Sequence, residues 1–313
     1  MTSLVVESPG FLTTVQDFGR PGHGVLGISA SGAADPIALQ LGNRLVGNPP
    51  GAAALEMTLT GGTFLFPHSA VFALAGADFP ATLNGNPVAN WATHSAPPDS
   101  KLSVGPTANG ARCYLSIAGG IQIPPFLGSA STHLLSGLGG FHGRALRRGD
   151  IVQLGAFSAA TPRRSLRADA LERLRPRKIL CVTGGPQKHW FDETAHRAFL
   201  QNTFEVTEET NRMGLRLSAP SLRSVLNREL VSEGAPLGAI QVTPSGQTII
   251  LFVEQQTVGG YPKIANVIGV DLPSLGQLRP RDQIRFQLVS FEEARALWLE
   301  QQKFLQSEEL LFV

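Results

Sequence analysis

The dominant pattern along this chain is a succession of short apolar runs, each bounded by Gly, Pro or Asn. Ala70–Ala75, Ala111–Ala118, Ile151–Leu154, Ile179–Val182, Ala239–Val242 and Ile249–Val253 are examples. Runs of about four to eight residues match a buried strand and are too short for a typical helix. Between them lie turn signals such as Asn84-Gly85-Asn86-Pro87, where Asn-Gly suits the positive φ angles of a tight hairpin. The 34 glycines and 22 prolines among 313 residues serve this punctuation. They stay below the roughly 25–30% that marks disordered chains. The expectation is a mainly β protein, with antiparallel sheets forming a barrel or sandwich in each half.

Few helices are expected. Ile37, Leu41 and Leu45 place one over Ala34–Gly47, and Trp190, Phe191, Ala195 and Phe199 place another over Pro186–Gln201. Ser290 and Glu293 form a capping box ahead of Ala294, Leu297, Trp298 and Leu305, which predicts a C-terminal helix. Charge is unevenly spread: residues 1–155 hold seven acidic and seven basic side chains, a small share of the 24 and 26 in the whole chain. Around Arg163, Arg164, Arg167, Arg173, Arg175, Arg177 and Lys178 the sequence is basic, prolyl and poor in apolar residues, which reads as a linker with one helical turn at Ala168–Leu174. The expected organisation is an N-terminal β-barrel domain over 1–157, a basic linker over 158–178, and a C-terminal β-barrel domain with its helix over 179–313.

A net charge of +2 gives no global attraction to nucleic acid or anionic lipid. Neither a signal peptide nor an apolar run of about 18 residues is present, so a soluble cytoplasmic protein is expected, with no membrane partner. Cys113 and Cys181 each lie inside an apolar run and read as buried free thiols. The seven histidines never pair as His-x3-His, and no cysteine pair is close enough for a zinc knuckle, so no metal site is expected. Gly-x4-Gly-Lys-Ser/Thr and Gly-x-Ser-x-Gly are both missing from the sequence.

Four Gly-punctuated polar clusters remain. In the first, Gln16, Asp17 and Arg20 lie within five positions, and Ser31 and Asp35 precede a helix whose first amides suit an anion. These residues either hold a ligand or lock one loop to another, with Asp35 as an ordinary helix cap. The second gathers glycines, His133 and His142 around Arg144, a carboxylate or phosphate partner. A third runs from Gly184-Gly185-Pro186-Gln187 and is joined by Asn211-Arg212-Met213. The fourth, Gln255-Gln256-Thr257-Val258-Gly259-Gly260-Tyr261-Pro262-Lys263, presents Lys263 on a stiff loop beside a phenol and amides. A preorganised ammonium of this kind suits a carboxylate, a carboxylated cofactor or a developing oxyanion.

These clusters, in this order, resemble the KipA-like family, also called the biotin-dependent carboxyltransferase or allophanate hydrolase subunit 2 family. The resemblance rests on Leu12-Thr13-Thr14-Val15-Gln16-Asp17-Phe18-Gly19-Arg20-Pro21-Gly22, Leu45-Val46-Gly47-Asn48, Gly143-Arg144-Ala145-Leu146, Gly185-Pro186-Gln187, Asn211-Arg212-Met213-Gly214 and Gly259-Gly260-Tyr261-Pro262-Lys263-Ile264-Ala265. It implies two cyclophilin-like β-barrel domains and a partner of the KipI-like type. Bacterial members of the family include the C component of ATP-dependent 5-oxoprolinase, which acts with a KipI-like B component and an A component to open 5-oxo-L-proline to L-glutamate. On that reading ATP is used by the complex, Lys263 and Tyr261 polarise the substrate, and Gln16, Asp17, Arg20, Ser31, Asp35, Arg144, Arg212, Gln256 and Thr257 bind it. Two alternatives are a carboxyltransferase that receives carboxybiotin in trans and a non-enzymatic module that binds a KipI-like partner. The chain departs from the family pattern at Ala130, His133, Leu135, Gln255 and Val258.

Overall fold

Alternate residues of the N-terminal strands face one core, as the two-residue period of a strand requires. Leu4 and Val6, Phe64 and Phe66, Leu55 and Met57, Phe72 and Leu74, and Cys113 and Leu115 all pack into it. The computed structural model describes residues 2–157, 163–218, 220–226, 230–307 and 310–312. It is mainly β. Two compact units divide the chain: one holds Met1–Arg20, Ser31–Leu174 and Glu308–Val313, the other Pro21–Ala30 and Arg175–Ser307.

In the first unit a six-stranded sheet runs in the order Ile151–Leu154, Thr2–Ser8, Thr63–Phe66, Ser100–Val104, Ala81–Leu83, Asn86–Val88. A five-stranded sheet runs Leu12–Gln16, Ala54–Thr58, Asn109–Ile117, Ala70–Asp78, Thr93–Ala96. The two enclose the core between them. The Asn84-Gly85 turn forms as its sequence predicts: Leu83 pairs with Asn86, and the two turn residues have φ of 51° and 84°. Pro36–Leu45 is helical and packs on the strands Asn109–Ile117 and Ala70–Asp78. It is shorter than the expected 34–47 because Asp35 caps it and Pro36 occupies its first turn.

The sheet of the second unit closes on itself. Its order is Ile179–Gly184, Lys263–Val267, Ala239–Val242, Thr248–Leu251, Gly214–Ser218, Phe204–Val206, Gln283–Leu288. Closure comes from a parallel pairing of Ile179–Val182 with Arg285–Leu288. Phe199, on the helix Glu193–Gln201, stacks on Phe286 with ring centroids 4.5 Å apart. That helix is shorter than the expected 186–201: Lys188–Trp190 makes only a 3-10 turn, and Asp192 in an extended conformation starts the helix by accepting from Ala195 N at 2.7 Å. The capping box of Ser290 and Glu293 forms and begins the helix Phe291–Gln306.

Of the expected linker, residues 158–162 lie outside the described residues. Further on, Ser165–Leu166 pairs with Leu311–Phe312 and Ala168–Arg173 is helical, so this stretch carries structure of its own. Both thiols are free. Burial pushes the Cys113 thiol up to about 12. Burial also raises that of half-buried Cys181, with the Asp271 carboxylate adding to the effect. No helix among the described residues is long and apolar enough to cross a membrane.

Phe72 is fully buried between the layers, where it stacks on Phe66 with centroids 5.6 Å apart. Phe72→Ala is expected to lower the stability of the first unit by about 3–5 kcal/mol. Urea unfolding followed by circular dichroism measures this as a lower midpoint.

Candidate functional site

Asp17 follows the strand Leu12–Gln16 and acts as a clamp on the loop 126–133. Its carboxylate accepts from Gly19 N at 2.7 Å, Ser129 Oγ at 2.6 Å, Ala130 N at 2.7 Å, and Ser131 Oγ. Gln16, fully buried, donates through Nε2 to Thr14 Oγ1 and to Thr132 O, both at 3.0 Å. Ser31, held at a positive φ of 54°, donates to the same Thr132 carbonyl at 2.9 Å. Arg20 is 1% exposed, donates to the carbonyls of Phe126 and Ser131, and lies over the Phe126 ring. Gly140, at φ 55°, comes so close to Thr132 that a Cβ there would collide with the threonine side chain. The structure therefore gathers Gln16, Asp17, Arg20 and Ser31 around one loop, and their described contacts are loop-holding bonds.

Asp35 is drawn into a different arrangement. Its Oδ1 accepts from Ala38 N at 3.0 Å, the helix-cap geometry, and its own N–H donates to Tyr114 Oη at 2.8 Å. Tyr114 in turn donates to Glu56 Oε2 at 2.7 Å. Burial, with the Glu56 charge next in weight, holds the Tyr114 phenol well above its ordinary range. Arg144 forms a two-pronged bond with Asp150 at 2.7 and 2.9 Å and covers the ring of Phe141. That bond keeps the Asp150 carboxyl below its usual range.

In the second unit Lys263 opens the strand Lys263–Val267 and is 1% exposed. Burying an ammonium is costly without an opposite charge. Glu233 Oε1 supplies it at 2.8 Å and also accepts from Gln187 Nε2 at 2.8 Å. Gln187 is tied back to the strand, with its Oε1 accepting from Lys263 N at 3.2 Å. The Lys263 bond, aided by Gln187, holds the Glu233 carboxyl below its ordinary value. Tyr261 is 40% exposed, and no hydrogen bond joins it to Lys263 among the described residues. The exposed Gln256 reaches Gln241 Oε1 at 3.4 Å, and the Thr257 carbonyl accepts from Ala235 N at 3.0 Å. Arg212 pairs with Glu254 at 2.5 Å, both buried.

Lys263 is thus an ammonium fixed in place at the edge of a barrel, with carboxamides around it. Such a group can stabilise negative charge developing on a substrate oxygen without reorganising. Sequence reasoning places Gln187 in a different polar cluster from Lys263 and misses Glu233 and Gln241 as site residues. Glu233 is 30 positions from Lys263 and Gln187 is 76. The local signal is slight: a buried lysine needs a carboxylate, without any indication of which one.

Comparisons with known proteins add the following. The family described as carboxyltransferase domain, subdomains A and B, matches residues 26–288. The chain is 39% identical to the C component of 5-oxoprolinase from Escherichia coli (strain K12), over 97% of this chain and 96% of that protein. It is 31% identical to urea amidolyase of Saccharomyces cerevisiae, over 95% of this chain and 17% of that longer protein. The solved K. lactis urea amidolyase superposes with a TM-score of 0.90 at 30% identity, covering 99% of this chain and 21% of that one. Among solved chains that match, this chain spans about half of one and a fifth of another.

Two stability tests separate structural from ligand roles in the first unit. Asp35→Ala is expected to cost about 1 kcal/mol, as loss of a helix cap does, read from the urea midpoint with an unchanged slope. The Asp150 carboxyl is depressed in the folded state, so its contribution is present above the ordinary value of 3.8 and lost as pH falls through the folded value. Thermal melts between pH 6 and 2 should show a steeper acid loss for the wild type than for Asp150→Asn.

Proposed function

The chain belongs to the carboxyltransferase domain family, subdomains A and B, and from that premise we propose that it is one component of an ATP-dependent 5-oxoprolinase. In this reading it opens 5-oxo-L-proline to L-glutamate together with a KipI-like B component and an A component. The observation that carries it is the 39% identity to the 5-oxoprolinase C component along nearly the whole of both chains, above the 31% to urea amidolyase. The site chemistry is compatible. Opening a lactam adds water across a C–N bond and places negative charge on the carbonyl oxygen in the transition state. Lys263, held by Glu233 and Gln187, is the group assigned to that charge.

Tyr261, Gln256 and Thr257 flank Lys263 in sequence and are assigned to the rim where substrate enters. Arg212 is assigned to the local shape of the barrel through its buried bond to Glu254. Gln16, Asp17, Arg20 and Ser31 are assigned to ordering the loop 126–133, and Asp35 and Arg144 to the contacts described for them. ATP is used at the level of the complex: this chain has no phosphate-binding loop of the Gly-x4-Gly-Lys-Ser/Thr type.

The TM-score of 0.90 to urea amidolyase favours a second reading, a carboxyltransferase that accepts the carboxyl group of carboxybiotin. No Met-Lys-Met attachment sequence occurs in this chain, so biotin would arrive on another protein. Co-expression with the KipI-like and third components decides between the readings. ATP-dependent glutamate formation from 5-oxoproline supports the first. Carboxyl transfer from carboxybiotin to urea without glutamate formation supports the second, and tight assembly without turnover on either supports a regulatory module. In the active complex Lys263→Ala is expected to lower kcat by about 100-fold or more, with assembly by size-exclusion chromatography unchanged. Full turnover in an assembled Lys263→Ala complex removes Lys263 from the mechanism.

A further inference from the structure

Gln241 stands beside Lys263 and is left half-used by the fold. It is 1% exposed, and among the described residues its Nε2 has no hydrogen-bond partner and its Oε1 receives only the long 3.4 Å contact from Gln256. A buried donor without an acceptor destabilises the folded state, and an apolar side chain of the same size would avoid that cost. The position is also set up geometrically. Gln241 and Lys263 are directly paired in register on neighbouring strands, next to an irregularity between Ile240 and Gln241. Residues paired in this way lie side by side on one face of the sheet, and a bulge re-aims side chains of the kind found near active sites. A Cβ at residue 259 would stand 2.9 Å from Gln241 Nε2 and closer still to Gln256 Nε2, so only a glycine lets the chain pass this close to the two amides. The exposed Gln256 side chain lies against this amide, its Nε2 3.4 Å from Gln241 Oε1.

A primary carboxamide presents a donor and an acceptor along one edge. Its complement is a cis amide, in which N–H and C=O also lie along one edge, as in a lactam, a cyclic urea or urea itself. A carboxylate or an ester offers acceptors only and leaves Oε1 facing lone pairs. We propose that Gln241 recognises the cis-amide edge of the substrate. Nε2 donates to the carbonyl oxygen, on which the Lys263 ammonium also acts, and Oε1 accepts the ring N–H after Gln256 gives way. This inference rests on the assignment of the Lys263 region as the substrate site. It adds to that assignment the residue that selects amides over esters and acids.

Calorimetric titration of the assembled complex tests it with three probes: 5-oxo-L-proline, the matching lactone in which oxygen replaces the ring N–H, and 2-imidazolidinone. The expected result is a lactam preference over lactone of at least about tenfold in the wild type, equivalent to one discriminating hydrogen bond. Gln241→Met should bring the ratio close to one while its melting temperature stays equal or rises, because the orphaned donor is gone. Gln241→Glu, which has acceptors only, should lose lactam affinity as well. If 5-oxoproline fails to bind but 2-imidazolidinone binds in a Gln241-dependent way, the 5-oxoprolinase reading fails and the role of Gln241 stands. Equal lactam and lactone affinity in the wild type, an undiminished preference in Gln241→Met, or no binding of either cis amide to the wild type overturns the proposal.

Discussion

The second unit depends on one pairing, the parallel contact of Ile179–Val182 with Arg285–Leu288. Every other pairing in that sheet is antiparallel, and this one joins segments more than 100 positions apart in sequence to close the ring. A closed sheet has no unpaired edge, so its backbone groups are satisfied internally. Closure also decides what happens at the strand Lys263–Val267, which is paired on both sides, with Ile179–Gly184 and with Ala239–Val242. A lysine at the start of such a strand is hemmed in by neighbours. Glu233 and Gln187 are then required to neutralise and orient it.

Carboxylates perform the same office in the first unit. Its acidic side chains are few, and three of them organise much of the local structure. Asp17 collects four donors from its own turn and the loop 126–133; Glu56 accepts from Ala34 N and Tyr114 Oη; Asp150 holds Arg144 in a two-pronged bond. Charge-assisted hydrogen bonds are stronger and more directional than neutral ones. A Gly-rich loop with little regular structure is the place where such bonds are most needed, because its backbone offers many conformations to suppress.

Much of the local architecture is legible in the chain. The Asn84-Gly85 hairpin, the Ser290–Glu293 capping box and the Asp35 cap all depend on residues within three or four positions, so their chemistry is visible in a short window. Strand positions are equally visible, because strands buried on both faces read as short continuous apolar runs. Helix ends are less so. A single helix over 186–201 overlooks Asp192, which offers a better cap than the Pro186 start. The site is visible only in part. Lys263 stands out by its setting between Pro262 and an apolar run, whereas Glu233 and Gln241 are ordinary polar residues, and Gln187 belongs to a separate cluster, until the barrel brings them to Lys263.

By itself, then, the sequence determined the mainly β character, the turns, the helix caps and the loops where chemistry was to be sought. Each follows from interactions between residues close in the chain. Tertiary structure alone decided which side chains are partners: that Asp17 clamps the loop 126–133, that Arg144 turns to Asp150, and that Gln241 is left beside Lys263 with an unused donor. The physical reason is that a buried polar group takes its partner from whatever the fold places within hydrogen-bond reach, and in a barrel those neighbours come from strands distant in sequence.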